Sequence, residues 1–247
     1  MLNKIEIPAV DSSELSYKTK MALIEFIRNQ ESDAPFKLPS EDVLAQMLGV
    51  SRNALRDVLA SLEEMGLVTR QRSKGTLANP RVAKEICRLD TDPGNFSMIR
   101  QMGQAPRSDV ISLSFVEERD PVLGPGSHSY LEVCKLFYAD QAPVVFTIDH
   151  VEGAVAAGAQ AQYPRLRHES CFSFLKERCR VPVAYSMATF DVMQADARLQ
   201  GLFHVGPEEL FLVVDDVVYS RDLKIVCHAT SYYRKGYLPV KMLRKGW

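Results

Sequence analysis

Two short segments, each opened by a serine and separated by one glycine, constrain this chain more than any other feature. Ser40 precedes Glu41 and Asp42, and then Val43, Leu44 and Met47 recur at helical spacing. A serine hydroxyl accepts from the free amides of a first helical turn, and acids there oppose the positive end of the helix dipole. Gly49 permits the positive φ of a tight turn between helices. Ser51 is a second N-cap. Behind it Leu55, Val58, Leu59 and Leu62 repeat every three or four residues, which makes one buried stripe. Gly66 stops that helix. Leu67–Arg70 then reads as a strand, Ser73-Lys74-Gly75 as a turn, and Thr76–Ala78 as the returning strand.

Two helices at a tight turn followed by a two-stranded wing make a winged helix-turn-helix. Arg52, Asn53 and Arg56 fall off the apolar stripe near the start of the second helix. In a helix-turn-helix that end reaches base edges in the major groove, where Arg can hold guanine and Asn adenine. Between Glu64 and Glu85 there is no acid, but there are Arg70, Arg72, Lys74, Arg81 and Lys84. Singly these are ordinary surface residues. As an ordered set they point to double-stranded DNA. The segment from about Tyr17 to Ala78 resembles the N-terminal domain of the GntR family of bacterial transcription regulators. The motifs that carry the resemblance are Leu38-Pro39-Ser40-Glu41, Leu48 to Arg56, Leu62 to Val68 and Lys74-Gly75-Thr76. It implies operator contacts by Ser40, Arg52, Asn53, Arg56, Lys74, Gly75 and Thr76. Ser51 and Arg72 complete the expected DNA-contacting set. Many members carry Arg after the motif's glutamate; here that position is Asp42.

A length of 247 residues suits two domains, and 46% hydrophobic with 25% charged residues suits a soluble globular chain. The net charge of −1 means that DNA affinity must come from the local basic patch. Met1 to Val10 holds Lys4, Glu6 and no long apolar run, so no signal peptide or membrane span is expected, and the cytoplasm is the expected compartment. Cys87, Cys134, Cys171, Cys179 and Cys227 form no C-x-x-C and read as thiols. His128, His150, His168, His204 and His228 are scattered one at a time, so neither a metal nor a cofactor is expected. No common catalytic motif occurs.

Residues 79–94 read as a linker, from Asn79-Pro80 to Asp92-Pro93-Gly94, with domains at 1–78 and 95–247. Beyond it a short helix (96–102) precedes strands at 110–116, 129–138 and 143–151, the last two joined by Asp140-Gln141-Ala142. Then follow a helix (171–179), a strand (183–193), a helix (195–203) and a strand pair (210–219 and 224–234). Short turns between neighbouring strands imply a mainly antiparallel sheet, so the fold class is α+β.

The order from 95 to 243 resembles UTRA, the effector-sensing domain of the HutC-type branch, similar in fold to chorismate lyase. Tyr138 to Pro143, Ser170-Cys171-Phe172 and Ser231 to Arg234 carry this likeness. It implies a small-molecule effector, a homodimer and a palindromic operator, and it implies a pocket at Lys135, Phe137, Thr147, Ser170, Phe172, Cys227 and Tyr233. Where sugar-phosphate-sensing members place two arginines, this chain has Lys135 and Phe137; their glutamates fall at Thr147 and Cys227. So a smaller or more apolar effector with at most one acidic group, or else an empty site, is expected. A strand's side-chain period of two puts Lys135 with Phe137, and Cys227 with Tyr233, on one face. The alternative is a lyase-like enzyme with an accessory DNA-binding module. Asp215 and Asp216, adjacent on a strand, point to opposite faces and cannot share a proton.

Overall fold

The computed structural model describes residues 12–85, 88–91 and 94–244. Met1–Val10, Cys87 and the Asp92-Pro93 turn lie outside them. The described residues divide into two compact units, one within 12–91 with 241–244, the other within 94–240. Among the described residues no helix is long and apolar enough to cross a membrane.

The first unit runs α1 (Ser12–Arg28), β1 (Phe36–Lys37), α2 (Glu41–Leu48), α3 (Arg52–Glu64), β2 (Val68–Gln71) and β3 (Gly75–Ala78). Both serine caps form: Ser40 Oγ accepts from the Val43 amide at 3.5 Å and Ser51 Oγ from the Ala54 amide at 3.2 Å. Gly49 takes φ 65° between α2 and α3, and Gly66 takes φ 71° after α3. Leu55, Val58, Leu59 and Leu62 of α3 bury against Leu23, Ile24 and Ile27 of α1. The strands pair in the order β1-β3-β2.

The segment at 79–94, where the sequence leaves a short helix or an extended stretch open from Val82 to Leu89, is helical at its start. Pro80–Lys84 is a helix, α4, whose Asn79 side chain caps the Val82 amide at 3.3 Å. Ala83 joins the core, and its carbonyl accepts from Arg28 Nε at 3.0 Å. The end of the chain also returns here rather than staying with residues 95–240. The Leu89 amide donates to Lys241 O at 2.9 Å and the Leu243 amide to Asp90 Oδ1 at 3.2 Å. Arg88, 5% exposed, binds both Asp90 oxygens, at 3.2 and 2.5 Å, and donates to Met65 O at 3.0 Å.

The second unit contains α5 (Gly94–Gln101), β4 (Pro106–Val116), β5 (Tyr130–Ala139), β6 (Ala142–Glu152), α6 (Gly153–Ala157), a 3-10 segment (Gln160–Arg167), α7 (Cys171–Glu177), β7 (Val183–Gln194), α8 (Ala197–Phe203), β8 (Leu210–Ser220) and β9 (Ile225–Arg234). The six strands form one antiparallel sheet in the order β4-β5-β6-β9-β8-β7. The β6–β9 pairing joins the two halves and sets Thr147 opposite Ser231 and His150 opposite His228. On one face Leu131, Val133, Val151 and Cys227 lie against Cys171, Phe174 and Leu175 of α7. On the other Cys134, Leu136, Phe146 and Phe211 lie against Leu199 and Phe203 of α8. Helix α8 begins at Ala197, two residues later than expected, because Asp196 caps the Leu199 amide at 2.8 Å.

Candidate nucleic-acid interface and sensor face

The first turn of α3 presents Arg52, Asn53 and Arg56 to solvent, while its leucines face inward. Both arginines already have partners on α2. Arg52 Nε lies 2.8 Å from Asp42 Oδ1, and Arg56 Nε lies 2.7 Å from Glu41 Oε2. Exposed pairs of this kind are weak and exchange readily for a phosphate or a base. The hydroxyls of Ser40 and Ser51 serve as caps from exposed positions. At the wing Arg72, Lys74 and Gly75 are exposed, and Gly75 takes φ 85°, which favours glycine. Thr76 is half-buried, and its carbonyl accepts from the Leu38 amide at 2.9 Å. Arg70 folds back instead: its amide and Nε both bond Glu63, at 2.8 and 2.7 Å. The wing's outward charge is therefore Arg72 and Lys74.

In the second unit the strand register puts Lys135 opposite Thr147, and Phe137 and Tyr233 each opposite Val145, on one face of the sheet. Cys227 lies further along the same face, opposite Val151. Lys135 is 1% exposed; its ammonium donates to Glu169 O at 2.7 Å and to Leu166 O at 3.3 Å. Asp149, two residues beyond Thr147 and absent from the expected set, is buried and accepts from Thr147 Oγ1 at 3.2 Å. Burial raises its carboxyl above the usual range, against the pull of the Lys135 charge. Strand parity would have found it. Burial likewise pushes the Cys171 and Cys227 thiols well up.

Ser170 caps α7, accepting from the Ser173 amide at 3.1 Å, and Phe172 is half-buried beside the same core. Phe137 meets Phe96 of α5 edge-on at 5.2 Å, and the Tyr233 hydroxyl donates to Asn95 Oδ1 at 3.2 Å. Tyr233 alone of the expected set borders a mainly apolar cavity of about 380 Å³, with Val192, Leu212, Leu238 and Lys235.

The opposite face holds a cluster that sequence reasoning missed. Asp120, 5% exposed, precedes the 3-10 turn Pro121–Leu123. Its Oδ2 lies 2.7 Å from His150 Nδ1 and 2.8 Å from His228 Nδ1. His228 Nε2 is 3.0 Å from Asp215 Oδ1, and His150 Nε2 is 3.4 Å from Glu132 Oε2. Burial opposes charge on His228, but its two carboxylate neighbours outweigh burial and raise its pKa. Burial also works to raise the Asp120 carboxyl; bonds from His228, His150 and the Val122 amide prevail and lower it. The two histidines meet only through the β6–β9 register, which no local pattern reveals.

Comparison with known proteins agrees with this division. Residues 16–77 match the family model for bacterial regulatory proteins of the gntR family, and residues 101–237 match the UTRA domain. The HTH-type transcriptional repressor NagR of Bacillus subtilis is 21% identical over 213 residues, 84% of this chain and 85% of NagR. The HTH-type transcriptional regulator YurK of the same organism is 26% identical over 145 residues. That match covers 56% of this chain and spans little more than half of YurK, 58%. Two solved structures share the fold. The possible transcriptional regulator YydK of Bacillus subtilis has a TM-score of 0.73 at 14% identity, covering 94% of this chain and 99% of YydK. PhnF of Mycobacterium smegmatis has a TM-score of 0.59 at 17% identity, covering 93% and 100%. The regulator reading thus stands over the lyase alternative. The chain belongs to the gntR family of bacterial regulatory proteins and is a DNA-binding transcriptional regulator that carries a UTRA domain.

Proposed function

We propose that this regulator is a homodimeric repressor of the HutC-type branch, acting in the cytoplasm, that leaves a palindromic operator when a small metabolite binds its UTRA unit. The observation that carries the DNA-reading part is the solvent-facing set Arg52, Asn53 and Arg56 at the start of α3, with Arg72 and Lys74 on the wing. Base edges fall to the α3 residues and phosphates to the wing. Repression follows the relative named as a repressor. The edge strand β7 supports the dimer: Tyr185, Met187, Phe190 and Val192 are 50%, 63%, 43% and 61% exposed. Such an apolar edge is a liability unless a second copy covers it.

The effector is a small, largely apolar molecule with at most one acidic group. Lys135 is held by two carbonyls and attracts the buried Asp149, so it is no spare cation for a phosphate dianion; at the cavity beside Tyr233 Arg234 is tied to Glu209, and Lys235 is left for one acidic group. The cavity beside Tyr233 suits such a molecule. Its binding moves the operator equilibrium only by its difference in affinity between the bound and free forms of the regulator.

The test is footprinting of the purified protein on the DNA upstream of its own operon, alone and with metabolites that raise its melting temperature. Protection of a two-fold-related sequence, relieved by one such metabolite, is expected. Absence of any protected sequence, or protection unaffected by every stabilising metabolite, would overturn the proposal.

A further inference from the structure

The Asp120, His150 and His228 cluster belongs neither to the DNA-reading surface nor to the Lys135 face. We propose that these three side chains bind a divalent first-row transition-metal ion. Asp120 Oδ2, His150 Nδ1 and His228 Nδ1 all lie within 4.8 Å of one another. An ion with bonds of about 2.0–2.2 Å to nitrogen and oxygen holds tetrahedral ligand atoms about 3.3 Å apart. The present separations of 2.7 and 2.8 Å need open only slightly to admit it.

What stands behind the imidazoles extends the argument. Asp215 faces Nε2 of His228 at 3.0 Å, and Glu132 faces Nε2 of His150 at 3.4 Å. A carboxylate only accepts, so Asp215 can take the His228 ring N–H at Nε2 when Nδ1 binds an ion, whereas His150 Nε2 makes no hydrogen bond. For His228 this is the carboxylate–histidine–metal arrangement. The outer groups are themselves held. Thr230 Oγ1 donates to Asp215 at 2.9 Å, Tyr130 stacks on His150 at 4.2 Å, and Asp120 Oδ1 accepts from the Val122 amide at 2.8 Å. With Nδ1 unprotonated on both rings, two ring nitrogens and a carboxylate oxygen converge on one point, a donor set that suits a cation. Two imidazoles with one carboxylate oxygen select zinc-like ions over calcium or magnesium, which prefer oxygen shells. The ligands come from the β4–β5 connection, β6 and β9, so the ion would tie that connection to the middle of the sheet.

The test uses the full chain, stripped with a chelator, then titrated with Zn²⁺ by calorimetry and with Co²⁺ by visible absorption. One ion per chain is expected, with cobalt d–d bands and no thiolate charge-transfer band. His150→Gln and His228→Gln should each weaken binding at least tenfold. Asp215→Asn, which alters the group behind the imidazole and none of the three ligand atoms, should weaken it about ten- to a hundredfold. Melting of the ion-free variants should match the ion-free wild type. If a variant fails to fold, the cobalt spectrum of the wild-type chain still decides. Failure of both ions to bind stoichiometrically, a thiolate band, or unchanged affinity in the doubly substituted histidine variant would overturn the proposal; the cluster would then be two imidazoles hydrogen-bonded to Asp120.

Discussion

Asp42, which stands where the family resemblance leads one to expect arginine, holds Arg52 at 2.8 Å. The pair is open to water, its side chains 58% and 64% exposed, so giving it up costs under about 1 kcal/mol. Arg52 can therefore turn to DNA, with the acid as a competitor beside it. Arg52→Ala and Arg56→Ala should each lower operator affinity roughly ten- to a hundredfold with the melting temperature unchanged. Gel-shift titration beside a thermal melt checks this, and wild-type affinity in both variants would refute the placement. Asp42→Asn should act in the opposite direction, tightening binding to operator and random DNA alike. A gain confined to one operator base pair would instead make Asp42 a reader of sequence.

At the level of elements, legibility followed how completely each one buries a single face. Helix α3 was readable because its four stripe residues are all buried. Helix α1 was not, because Leu15, Tyr17, Met21 and Phe26 remain 45%, 61%, 43% and 46% exposed and blur its period. Helices α4 and α6, of five residues each, are too short to show one. The strands of the second unit were legible from alternation, and parity placed the Lys135 face. Pairing between distant strands was not legible, so the histidine cluster stayed hidden. The Arg88–Asp90 clasp, equally long-range in its partners, makes an acid-sensitive join. Burial alone would raise the Asp90 carboxyl, but Arg88 and the Leu243 amide lower it. A carboxyl lowered on folding adds stability above its unfolded value, near pH 4, that is lost as pH falls through the folded value. Melting curves taken through this range should drop more steeply for wild type than for Asp90→Asn; parallel curves would contradict the assignment.

For the whole molecule, the apolar β7 edge makes assembly and DNA binding one problem. Met187→Glu, at the most exposed of its large apolar positions, should yield monomers by light scattering and weaken operator binding, since a two-fold operator engages two readers at once. A variant still dimeric would move the interface elsewhere. The return of the chain end to Leu89 and Asp90 has a thermodynamic meaning of its own. Leu89 and Asp90 precede the second unit in the chain and Lys241 and Leu243 follow it, so the bonds between them close the intervening chain into a loop. For a disordered loop of roughly 150 residues, the length-dependent part of closure entropy is on the order of 4 kcal/mol. A folded sensor fixes its own ends and removes most of that cost. Anything that orders the sensor therefore tightens the reader's pinned seam without touching it, and the Leu89 and Leu243 amides should exchange their hydrogens more slowly once the effector binds.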